Sequence, residues 1–248
     1  MTTNYRFYLC IKCGEYPIMN NKCRICNYKK PTLKLIIKLL DKCNKSKFLQ
    51  INNLGKNLIS YSFILNNFFN KKYSISNIVS DPENRLLLFR LLRNFLLLDE
   101  YLDIASDCSK KESLILNTIV DPPISPVNNW THFCIIIKKN KISYNLLGIF
   151  SLEYRKCVNN KNKLKNLLCI EGLCKKNTKK FKFYFNLVKI LKFLNIKSAH
   201  QICIIPKLEQ YYSKIINKYY SDYYKIYKID WMFKFNKKKY PILKILHY

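Results

Sequence analysis

The sequence predicts an α+β protein in four parts. These are a four-cysteine ribbon (1–30), a helical region (31–121), an α+β domain with a mixed sheet and two helices (122–236), and a basic tail (237–248). Three observations carry this. Two Cys-x-x-Cys pairs stand nine residues apart near the amino terminus. A stretch from Ser80 to about Ile104 is apolar around nearly its whole circumference at helical period. After the proline-rich segment Asp121–Asn129 the pattern changes from helix to strand.

The first part rests on Cys10-Ile-Lys-Cys13 and Cys23-Arg-Ile-Cys26, the spacing of a four-thiolate zinc site. Each pair can form a turn whose backbone N–H groups point at sulfur. Such a turn favours positive φ just after the second cysteine, where Gly14 and Asn27 stand. Zn²⁺ with four thiolates carries −2, which Lys12, Lys22 and Arg24 offset. Four buried free thiols are the alternative, and these flanking residues speak against it.

In the second part Pro31 opens an amphipathic helix with Leu33, Ile36, Ile37 and Leu40 on one face and Lys34, Lys38 and Lys42 outside. Residues 48–79 are expected to be helical. Ser80-Asp81-Pro82-Glu83 is a helix start, and the helix it opens should be the buried centre of this half. Ser109-x-x-Glu112 reads as a capping box for a further helix, stopped by Asp121-Pro122-Pro123. In the third part, strands are expected at Thr131–Lys138, Lys141–Phe150, Leu164–Cys174, His200–Pro206 and Ile226–Phe235. Helices fall at Phe181–Leu194 and at the tyrosine-rich Lys207–Tyr224. The tail Lys237–Tyr248 is basic with a small apolar face that either docks back or stays mobile.

Composition narrows the class. Hydrophobic residues make up 49% of the 248, enough for a real core. No run is long and apolar enough for a membrane helix, so no membrane partner is expected. The opening residues do not read as a secretory signal. The seven cysteines outside the ribbon are irregularly spaced, which suits reduced thiols and an intracellular, nuclear protein. A second metal site from Cys169, Cys174, His200 and Cys203 is disfavoured because Cys169 and Cys174 should face opposite sides of a strand.

The formal charge of +30 is unevenly spread. Residues 1–80 carry +12, residues 81–121 carry −3, and residues 122–248 carry +21. Compositional drift of an AT-rich genome would not spare the middle segment, so part of this charge reads as a surface for a polyanion, DNA or RNA. The densest basic stretch supplies Lys175, Lys176, Lys179, Lys180 and Lys182 as phosphate-binding candidates, while Phe181, Phe185 and Val188 share a core face. The less basic 81–121 is left to pack on a protein partner. Enzyme constellations are sparse: four scattered glycines build no phosphate loop, and Asp99, Glu100 and Asp103 read as a solvated helix edge.

Three segments in order, Tyr8-Leu-Cys10-x-x-Cys13-x-x-Tyr16, Gly148-Ile-Phe150-Ser151-Leu-Glu153 and Asn166-Leu-Leu-Cys169-Ile170, resemble the MYST family of histone acetyltransferases. The strand order after residue 130 also resembles the wider acetyltransferase (GNAT) superfamily. The resemblance implies an acetyltransferase-like fold, acetyl-coenzyme A as cofactor and Cys169 in the active site. It also implies that the coenzyme's diphosphate would lie after Cys174, where the family has glycines and this chain has Lys175–Lys180.

The first functional expectation is therefore a zinc-ribbon, nucleic-acid-binding protein of the transcription machinery. A diverged lysine acetyltransferase is the second, and a structural subunit of a larger complex the third.

Overall fold

The computed structural model describes residues 10–13, 18–19, 22–65, 85–109, 130–176, 183–203, 224–235 and 238–247. Two short strands, β1 (Ile18–Met19) and β2 (Lys22–Cys23), pair antiparallel within the ribbon. Helix α1 (Leu33–Lys42) forms as its pattern predicts: the Thr32 hydroxyl accepts the Leu35 N–H at 3.2 Å as cap, and Leu33, Ile36, Ile37 and Leu40 are buried.

Residues 49–64 are not helical. They form a hairpin of β3 (Leu49–Gly55) and β4 (Leu58–Ile64). Lys56 and Asn57, with φ of 51° and 62°, make the left-handed two-residue turn that antiparallel strands favour. The overlooked signal is the period-2 alternation in Leu-Ile-Ser-Tyr-Ser-Phe-Ile, which sends Tyr61 and Phe63 to one face and Ser60 and Ser62 to the other. Two helices follow, α2 (Arg85–Phe95) and α3 (Asp99–Ser109). The single helix expected to run to Ile104 is thus broken between residues 95 and 99. The helix expected to begin at Ser109-x-x-Glu112 lies outside the described residues, as does most of the expected Lys207–Tyr224 helix.

The remaining strands are β5 (Trp130–Lys139), β6 (Tyr144–Asn159), β7 (Leu164–Lys175), β8 (Ser198–Ile202), β9 (Tyr224–Phe235) and β10 (Lys238–His247), with α4 (Phe183–Phe193) between β7 and β8. One eight-stranded sheet contains all but the ribbon strands, in the order β3-β4-β5-β6-β7-β8-β10-β9. Because β4 pairs with β5, this sheet runs across the expected 121/122 boundary, and the region 31–121 is helical only in part. The basic tail is neither mobile nor merely docked. It is β10, an interior strand between β8 and β9. Leu243 and Ile245 are buried on its α4 side and Ile242 on the other, so it buries side chains on both faces.

One face of the sheet is covered by α1, α2 and α3. Leu88, Leu91, Leu92, Phe95, Tyr101 and Ile104 pack there with Phe63, Phe133, Ile135 and Ile149. Phe133 is the hub, stacked on Trp130 at 5.0 Å and edge-on to Phe95 and Tyr101 at 6.0 and 6.4 Å. The apolar side of 85–109 is thus buried inside the molecule. The opposite face is covered by α4, through Leu187, Ile190 and Leu191. Finally, Val158 and Asn159 of β6 pair with Met232 and Trp231 of β9, closing β6, β7, β8, β10 and β9 into a ring. Cys157, Leu167, Cys169, Ile202 and Ile242 are buried together there.

Candidate metal centre and the fork in the sheet

The four ribbon cysteines converge. Their sulfurs all lie within 4.8 Å of one another, with Cys10 to Cys26 at 3.4 Å and Cys13 to Cys23 at 3.6 Å. Tetrahedral Zn–S bonds of about 2.3 Å place sulfurs about 3.8 Å apart, so the cage fits a tetrahedral thiolate metal. Asn27 has the expected left-handed φ of 56°. The Cys26 N–H bonds the Cys23 sulfur, and this, helped by the Ile25 N–H, lowers that thiol to about 7. Among the described residues, this is the only group of three or more ligand side chains close enough to hold a metal. The ribbon is tied to the main body by Ile11, buried in the α1–α3 core, and by Arg90 of α2, which donates to the Ile11 and Lys12 carbonyls at 3.3 and 3.2 Å.

The second feature is a fork. All strand pairs are antiparallel except β7 and β8, which run parallel on either side of the α4 crossover. They pair only at Cys169–His200 and Ile170–Gln201, although β7 continues to Lys175. A bulge explains the parting. Ile149 faces Cys174 and Ser151 faces Glu171, so three steps on β7 match two on β6, with Gly172 at φ 54°. A bulge bends its strand and tightens its twist, turning β7 away from β8. It also overturns an expectation: with the extra residue, Cys169 and Cys174 point to the same side of the sheet. Cys203 nevertheless packs in the α4-side cluster, away from both.

A buried polar cluster sits at the crotch. Glu171 is the first residue of β7 beyond the last β7–β8 pair, and Glu153 of β6 is registered opposite Cys169. Both carboxylates are buried, and the half-exposed Arg155 bridges them: it pairs with Glu153 and lies 3.3 Å from Glu171. Two carboxylates share one guanidinium in a desolvated place, so one proton is readily kept. Burial outweighs Arg155 and pushes Glu153 up to about 7, and burial likewise raises Glu171. Cys169 itself is fully enclosed, donates to the Leu167 carbonyl at 3.5 Å, and is driven strongly upward by the adjoining Cys157 thiol and burial. Its sulfur stays protonated, and a protonated thiol is a poor nucleophile.

Lys175 and Lys176 stand exposed where β7 ends, and the Lys176 N–H bonds the Leu147 carbonyl at 2.9 Å. Lys179, Lys180 and Lys182 lie outside the described residues, as does Phe181. Phe185 is half-buried with the Lys189 ammonium 4.6 Å over its ring, and Val188 is buried. No helix among the described residues is long and apolar enough to cross a membrane.

Compared with known proteins, the chain matches no family model and no curated sequence. The carboxylate pair is what sequence reading missed. Its signal was available: Glu153 and Glu171 are acidic residues within otherwise apolar strands, a placement that costs free energy unless it has a use.

Proposed function

We propose that this chain is an acyl-coenzyme A-binding protein of the acetyltransferase type, with a zinc-stapled ribbon, whose acceptor is a lysine amine. The observation that carries the reading is the fork. Antiparallel strands lead to β7, a helical crossover returns to a parallel β8 that separates from it, and β10 intervenes before β9. Ligands of sheets with parallel strands bind beyond the carboxyl ends of those strands, where the strands part. Beyond Ile170, β7 and β8 are not paired with each other among the described residues, and the extended pantetheine chain would lie at this parting. Its phosphates would then meet Lys175, Lys176 and the sequence neighbours Lys179, Lys180 and Lys182, at the amino end of α4. Lysines replace the glycine-rich loop that the resemblance implies.

The chemistry follows from the crotch. For transfer, the lysine nitrogen sheds a proton and attacks the thioester carbonyl, the carbon–sulfur bond breaks with its electron pair on the coenzyme sulfur, and that thiolate takes up a proton to leave as the free thiol. Glu153, poised near neutrality beside Glu171, is matched to accept the proton that the amine sheds. With Cys169 held protonated, the acyl group passes directly to the amine. A histone-like acceptor would place the protein in the nucleus.

The reading is tested by calorimetric titration of acetyl-coenzyme A into the full zinc-loaded chain. One-to-one binding, weakened at least tenfold in Lys175→Gln/Lys176→Gln, is expected; absence of heat at millimolar ligand refutes it. Elemental analysis should return one zinc per chain, lost in Cys26→Ser, and a different metal or none would overturn the zinc assignment.

A second reading, contact with DNA or RNA phosphates, is favoured by the segregation of charge, +21 over residues 122–248 against −3 over 81–121. It requires affinity that falls steeply with salt. Salt-independent retention, or none, excludes it.

A further inference from the structure

Beside the fork, on the side where β7 and β8 are still paired, lies a cavity of about 380 Å³ that belongs to none of the chemistry above. Its walls come from four strands of the ring. Lys165 and Leu167 belong to β7, His200 to β8 and Lys244 to β10, and Lys228, Ile229, Asp230 and Trp231 belong to β9. The cavity exists because the β6–β9 pairing curls the sheet: Trp231 is itself one of the residues that closes the ring. The volume falls in the roughly 300–1,000 Å³ range of small-ligand sites.

The charge is informative. Lys165, Lys244 and His200 share the side of the sheet that carries Cys157, Ile242 and Ile229, whereas Lys228 and Asp230 lie on the other side of β9 with Ile226; the two ammonium groups on the first side select an anion and repel a lysine side chain. The acceptor amine of the reaction proposed above therefore does not belong here. Lys244 and His200 are direct cross-strand neighbours, and Lys165 stands opposite Cys157 on the same side of the sheet. His200 has one role fixed. Its Nδ1 donates to the Leu168 carbonyl at 3.0 Å, which leaves Nε2 as an acceptor. Burial and the two flanking lysines, Lys244 and Lys165, hold the ring neutral. The polar lining on that side thus divides into cations, Lys165 and Lys244, for an anionic group and an acceptor, His200 Nε2, for a hydroxyl or amino donor. Leu167, Ile229 and the half-buried Trp231 supply an apolar and aromatic wall.

An anion, hydrogen-bond donors and a flat ring on one small molecule describe a nucleotide. We propose that this cavity binds a free mononucleotide, its phosphate on Lys165 and Lys244, a sugar or base donor on His200, and its base against Trp231. A single concavity of this size holds one nucleotide and not a strand.

Trp231 is also the reporter, because the other tryptophan, Trp130, is buried under Phe133. Adenosine monophosphate titrated into the full chain should quench tryptophan emission saturably, with submillimolar affinity. Lys165→Gln/Lys244→Gln should weaken this at least tenfold while leaving acetyl-coenzyme A binding within twofold, and Trp231→Phe should abolish the signal. Lys175→Gln/Lys176→Gln should leave it unchanged, which separates this site from an adenosine group bound at the fork. Because Trp231→Phe also removes the stacking wall, calorimetry on that variant should show weaker nucleotide binding and not merely a silent site. Inorganic phosphate equal in affinity to the nucleotide would overturn the assignment, leaving only a cationic patch. So would an oligonucleotide that binds where the mononucleotide does not, or no saturable quenching at 5 mM, about fivefold above the weakest affinity the site should have.

Discussion

Replacing Glu153 by Gln should flatten the dependence of stability on pH. Glu153 is buried and held near 7, against 4.5 when unfolded. A carboxyl whose folded value exceeds its unfolded one favours the folded state most when protonated. That benefit is whole below pH 4.5 and disappears as pH rises through about 7. The limiting effect is 2.5 units at about 1.4 kcal/mol each, roughly 3.4 kcal/mol. Between pH 5 and pH 8 the wild type should lose about 2.5 kcal/mol through this one group. Glutamine has no proton to lose, so the variant should not show this loss. His132, lowered by burial to about 4, and His200, lowered for the same first reason, act oppositely: they cost stability as pH falls below about 6.5. Both remain in the variant and cancel in the difference. Urea denaturation at half-unit intervals, wild type minus Glu153→Gln, gives the curve directly. Parallel curves that never diverge by more than about 0.5 kcal/mol would refute the buried-carboxylate argument.

Other perturbations test the frame around the site. Phe133→Ala, at the hub of four aromatic neighbours, should cost about 3–5 kcal/mol and lower the urea midpoint accordingly. Gly172→Ala forces a side chain into left-handed backbone and should cost about 1–2 kcal/mol, while also weakening acetyl-coenzyme A binding as the bulge relaxes. Arg90→Met removes the donor to the Ile11 and Lys12 carbonyls; protease cleavage within residues 10–30 should speed up at least threefold while metal content stays that of the wild type. Chelation should do the reverse, removing the metal and leaving the urea midpoint of the sheet within a small margin.

Sequence periodicity exposed what depends on neighbours within a few residues. The cysteine cluster, α1 with its Thr32 cap, and strands β5 to β9 follow from local spacing, although β6 runs to Asn159, nine residues past its expected end at Phe150. What escaped depends on partners far along the chain. Residues 49–64 mix Asn with large apolar side chains, and only pairing with β5, some seventy positions later, makes the strand choice unambiguous. Residues 238–247 carry three lysines and look like a tail until β8 and β9 supply edges on both sides. The carboxylate pair is a contact between strands, joined through Arg155, so no single segment displays it. The orientation of Cys174 turned on one glycine, because a bulge shifts every later side chain to the other face.

The place of β10 has a consequence for how the molecule comes into being. The strand latest in sequence lies inside the sheet, so a nascent chain must hold β8 and β9 apart, with raw edges, until those ten residues leave the ribosome. Neither the ring nor the cavity within it can exist before then. A stop codon just before Lys238 would therefore strip out the middle of a sheet and release a sticky, incomplete product in place of a merely trimmed one.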